Sequence, residues 1–111
     1  MKRASCVALF LAFVVSPAVF ANGAADASAG KDVFAKHCAS CHGADGKGND
    51  AVANMMKVTI PPLASKEVQA LSDADLSKVI TEGKGKMPPM KTLSSADVAN
   101  VVAFIRGLGK K

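Results

Sequence analysis

Two thiols and an imidazole crowd into five consecutive residues, Cys38-Ala39-Ser40-Cys41-His42. The other cysteine, Cys6, sits in a segment that reads as an export signal. That segment opens on Met1-Lys2-Arg3, runs apolar from Val7 to Val15, and closes on Pro17-Ala18-Val19-Phe20-Ala21. A positive start, a short apolar run and a small-residue end define a secretory signal, with cleavage expected after Ala21. The apolar run is too short for a lasting bilayer span. Cys6 precedes it and leaves with residues 1–21, so residues 22–111 form a 90-residue exported domain whose cysteines are Cys38 and Cys41.

Four chemistries compete for this pair. A disulfide between Cys38 and Cys41 closes too small a loop to add much stability. A thioredoxin-like redox pair calls for an α/β fold, and the chain has no strand–helix–strand pattern. A zinc site built from His37, Cys38, Cys41 and His42 would crowd four ligands into six residues, whereas zinc motifs separate their ligand pairs. The fourth reading is covalent haem attachment. Two thiols separated by two residues reach the two vinyl groups on one porphyrin edge, and the next imidazole lies under the ring against iron. Cys38 and Cys41 are therefore the candidate thioether attachments of one haem c, and His42 is the candidate proximal iron ligand.

Composition supports that choice by exclusion. Loss of Lys2 and Arg3 leaves 12 Lys+Arg against 9 Asp+Glu, a net charge of +3 spread along the chain. There is no room for a multidomain enzyme, and no basic run interleaved with aromatics as a nucleic-acid platform needs. Trp and Tyr are absent, and the exported domain keeps only Phe34 and Phe104. So few large apolar side chains make a marginal core at this length, and a haem would supply the missing apolar area.

The remaining signals are helical. Ser28 is placed to cap a first helix running to about Cys38, with Gly30, Phe34, Cys38 and Cys41 near one face. Gly43 to Asp50 is turn-rich, and Ala51 to Ile60 is ambiguous. Ser65 heads a short helix over Lys66–Ala70. Ser72 with Asp75 starts another, stapled by Leu71 and Leu76 and ended by Gly83. Ser94 with Asp97 starts the last, whose Val98, Val101, Val102 and Ile105 follow the helical period to about Leu108. The expectation is an all-α domain of about four short helices.

Iron held by one histidine leaves an opposite position. His37 lies in the helix leading into the attachment motif and cannot reach the far side, so it is expected to be a solvated helix residue. Methionine, lysine or no ligand remain. Met87 stands in a loop, Lys84-Gly85-Lys86-Met87-Pro88-Pro89-Met90-Lys91, between the last two helices. Gly83 and Gly85 allow tight turns there, and Pro88 holds Met87 extended. Met87 is the candidate distal iron ligand, with Met90 as the alternative; Met55 and Met56 are expected to pack on the haem.

The ordered pair of motifs resembles the small class I c-type cytochromes of bacteria, over nearly the whole exported domain. The resemblance implies a cytochrome c-like fold wrapped around one covalent haem, with first and last helices crossing at Gly30, Phe34, Val101 and Phe104. It also implies a proline carbonyl, of Pro61 or Pro62, accepting from the ligand histidine's Nδ1–H, although either proline also reads as a simple helix breaker. Among the Trp, Tyr and Arg side chains this family sets near the haem propionates, the exported domain offers only Arg106. The function so implied is a monomeric, periplasmic one-electron carrier without enzymatic activity, its iron cycling between Fe(III) and Fe(II) for redox protein partners. Lys84, Lys86 and Lys91 flank the methionine loop, as docking charges for an acidic partner or as a merely solvated loop. Two rival readings are a peroxidase-like enzyme or sensor with a labile sixth ligand, and an electron-entry subunit of a larger redox complex.

Overall fold

The computed structural model describes residues 25–110; the expected signal and its cleavage place lie outside the described residues. Six helices follow in order: α1 (Ala27–His37), α2 (Ala39–His42), α3 (Asp50–Met56), α4 (Lys66–Gln69), α5 (Asp73–Glu82) and α6 (Ser95–Leu108). No strand occurs among the described residues. The all-α class stands, with a different helix inventory. The attachment motif forms its own turn, α2, and the ambiguous stretch after the glycine loop contains helix α3.

The caps explain most boundaries. Asp26, not Ser28, caps α1: its carboxylate accepts from the N–H groups of Ser28 and Ala29. Both residues are competent caps, and the carboxylate also gains from the helix dipole. Ser65 caps α4 and Ser72 caps α5, accepting from Val68 N–H at 3.4 Å and Asp75 N–H at 3.0 Å. At α6 the capping box is complete: Ser94 Oγ accepts from Asp97 N–H at 3.0 Å, and Asp97 accepts from Ser94 N–H at 3.3 Å.

The core forms where α1 crosses α6. A Cβ at Gly30 would lie 1.9 Å from the Asn100 carbonyl oxygen, so only glycine lets the two backbones approach this closely. Phe34 and Val101 are the largest fully buried side chains, and the Phe34 and Phe104 rings stand 5.0 Å apart. The four expected crossing residues thus do form the crossing. Leu76 and Ile80 of α5 extend the cluster with Val98, Val102 and Ile105, and Leu63, Val68 and Leu108 close its other end.

Two polar side chains tie α6 to the α4–α5 junction. Arg106 donates to the Gln69 carbonyl at 2.9 Å, to the Leu71 carbonyl and to Asp73 Oδ1 at 2.9 Å. Gln69 Nε2 donates to the carbonyls of Leu63 at 2.8 Å and Ile105 at 3.0 Å.

Candidate haem site

The Cys-x-x-Cys-His run hangs from the end of α1. Cys38 N–H still donates to Phe34 O at 2.8 Å, and His42 N–H donates to Cys38 O at 3.0 Å. The chain then reverses through the glycine loop and returns to satisfy the turn's free carbonyls. Gly48 N–H donates to His42 O at 2.6 Å and Asn49 N–H to Cys41 O at 2.9 Å. Asn49 Nδ2 adds a bond to Ser40 O at 3.2 Å, while its Oδ1 accepts from Val52 N–H and caps α3. The sequence reading missed Asn49; its signal was a capping residue directly before Asp50.

Cys38 is buried, Cys41 is half-buried, and both are free thiols. Burial, reinforced by the neighbouring Cys41, pushes the Cys38 thiol up from its ordinary value. His42 faces Phe34 at 6.3 Å between ring centroids. Burial holds its imidazole below the ordinary range, which favours the neutral form that ligates metal. Its Nδ1 is buried without a hydrogen-bond partner, so neither Pro61 nor Pro62 accepts from it here. An unpaired buried nitrogen costs about 1–3 kcal/mol. His37 is exposed at the end of α1, as expected. Among the described residues no three His, Cys, Asp or Glu side chains converge on a metal position, which leaves the zinc reading without support.

The methionine loop is a tight reversal. Lys84 and Met87 exchange N–H···O bonds of 3.1 and 2.9 Å across a Gly85-Lys86 tip. Gly83 turns into it with φ 78°, where a Cβ would lie 2.5 Å from the Met87 carbonyl oxygen. Met90 N–H donates to Ile80 O at 2.8 Å and secures the exit. Met90 also packs against the core, whereas Met87 is half-buried outside it. Met56 is half-buried and Met55 is 76% exposed, so the Met55 side chain is left without a protein cover. Arg106 donates to the Gln69 and Leu71 carbonyls and to Asp73 Oδ1.

This donor set fits a covalent haem: two unbridged thiols and a neutral imidazole in one turn, with a thioether offered from a separate loop. Residues 25–105 match the family described as cytochrome c oxidase, cbb3-type, subunit III. The chain is also 37% identical over 107 residues to cytochrome c6 of Picosynechococcus sp., a match covering 87% of this chain and 89% of that one. The chain belongs to the small class I c-type cytochromes. As such a cytochrome it carries one covalently bound haem c with its iron. It is 37% identical over 89 residues to the CcoP subunit of the cbb3-type cytochrome c oxidase of Azospirillum brasilense, but spans only 30% of that protein. Among solved structures it is similar to the KustC0563 c-type cytochrome, with a TM-score of 0.61 and 30% identity, covering 71% of this chain and 95% of that one. No helix among the described residues is long and apolar enough to cross a membrane.

Proposed function

We propose that this cytochrome is a periplasmic one-electron carrier, with Cys38 and Cys41 as the haem thioethers, His42 as one iron ligand and Met87 as the other. The bound haem supplies the redox chemistry, an iron that alternates between Fe(III) and Fe(II). The observation that carries the reading is the division of labour between the two loop methionines. Met90 is committed to the core, while Met87 is held by a tight turn with its thioether outside that core. A thioether is a soft donor that favours the reduced metal, and the buried surroundings of Cys38 and Phe34 limit water on the histidine side. Both effects raise the potential. Thioether bonds to Cys38 and Cys41 keep the cofactor in place, so one edge can meet a partner without the risk of loss.

The match to cytochrome c6 over 89% of that protein supports a free-standing carrier rather than one domain of a larger subunit. Lys84 and Lys91 are exposed and suited to an acidic partner surface, whereas Lys86 is held by the Met56 carbonyl at 2.6 Å. The test is the ferric spectrum. Met87→Ala should abolish the sulfur-to-iron charge-transfer band and lower the reduction potential. Met90→Ala should keep the band and cost about 2 kcal/mol of stability. Loss of the band in Met90→Ala alone would overturn the assignment. Rapid cyanide binding to the unaltered ferric protein would favour the enzyme reading instead.

A further inference from the structure

Helix α3 has no buried residue, so packing into the core does not fix its position. Its ends are fixed instead. At the N-terminal end, Asn49 caps the helix through Oδ1 and also grips the attachment turn, through Nδ2 to Ser40 O and through its own N–H to Cys41 O. At the C-terminal end, Lys57 and Val58 cover the carbonyls of Ala53 and Asn54 and leave Met56 O. Lys86, 30 positions further along the chain, donates to that oxygen at 2.6 Å. An ammonium at a helix C-terminus also gains from the helix dipole. Lys86 directly precedes Met87 and forms half of the two-residue tip that the Lys84–Met87 bonds close.

We infer that Asn49 and Lys86 are positioning residues at the two ends of a brace, α3, which ties the Met87 loop to the turn carrying His42. The inference rests on the ligand reading proposed above and deepens it. The brace joins the segments that carry the two candidate iron ligands through protein alone, by way of Ser40 and Cys41, Asn49, α3, Met56 and Lys86. Its role is to keep the Met87 sulfur in place, so cutting either end lets the loop swing away more often. The brace holds at an exposed hydrogen bond, so its release is a local opening and not an unfolding.

The experiment measures how fast imidazole displaces the sulfur ligand from the purified ferric holoprotein, followed by the charge-transfer band. Lys86→Met should raise the rate about three- to tenfold, the range expected for losing one hydrogen bond. Lys86→Arg keeps a donor and should stay within twofold. Asn49→Asp keeps the cap oxygen, loses the Nδ2 donor, and should shift the rate in the same direction as Lys86→Met. Lys84→Met removes the same charge from the same loop and should leave the rate unchanged. A rise below twofold in Lys86→Met, an equal rise in Lys84→Met, or a rise matched by an equal loss of global stability to urea would overturn the brace. Absence of sulfur ligation in the unaltered protein would overturn the Met87 assignment itself, so the two failures are separable.

Discussion

At Gly30 a single methyl group has nowhere to go. Its Cβ would overlap the Asn100 carbonyl, and both groups belong to helix backbones that cannot rotate aside. Gly30→Ala should therefore lower holoprotein stability by about 2–3 kcal/mol in urea titration, the usual penalty of overpacking. A loss under about 0.5 kcal/mol would mean that the crossing opens freely. Gly30, Phe34, Val101 and Phe104 were legible through the resemblance to the class I cytochromes, and Gly30, Phe34 and Val101 also hold a helical register that the sequence displays. Asp26 was hidden behind Ser28, since either side chain makes a good cap and the sequence does not choose between them. Asn49 was hidden for another reason: a polar residue after three glycines reads as loop until its partners at Ser40, Cys41 and Val52 are seen.

Among the elements, α6 does most of the holding, and Arg106 is its polar anchor. The bonds that matter go to the partly buried carbonyls of Gln69 and Leu71, not to the exposed Asp73. Arg106→Met should cost about 2 kcal/mol, as expected for hydrogen bonds to a charged donor, and Asp73→Asn under about 0.5 kcal/mol. Equal losses in chemical unfolding would place the anchor at the ion pair instead. No sequence pattern foretold this role, because the acceptors are backbone carbonyls brought near only by the packing of α4 and α5 on α6. The α5 and α6 boundaries were legible from their Ser caps, each with an Asp three positions on. The helical nature of α3 was not, because in seven residues Val52, Met55 and Met56 are too few to set a helical period apart from a short apolar run.

Among the described residues, one aromatic ring is fully buried, Phe34. The haem is the core's largest remaining source of apolar contact. A Cys38→Ala, Cys41→Ala chain produced without haem should show most of its helical circular dichroism lost relative to the holoprotein; a holo-like spectrum would contradict that dependence. The account as a whole depends on one covalent adduct. An intact-mass spectrum of the denatured, purified protein should show the chain plus one haem, with fragmentation placing it on the peptide that contains Cys38 and Cys41. A mass equal to that of the bare polypeptide would contradict the account.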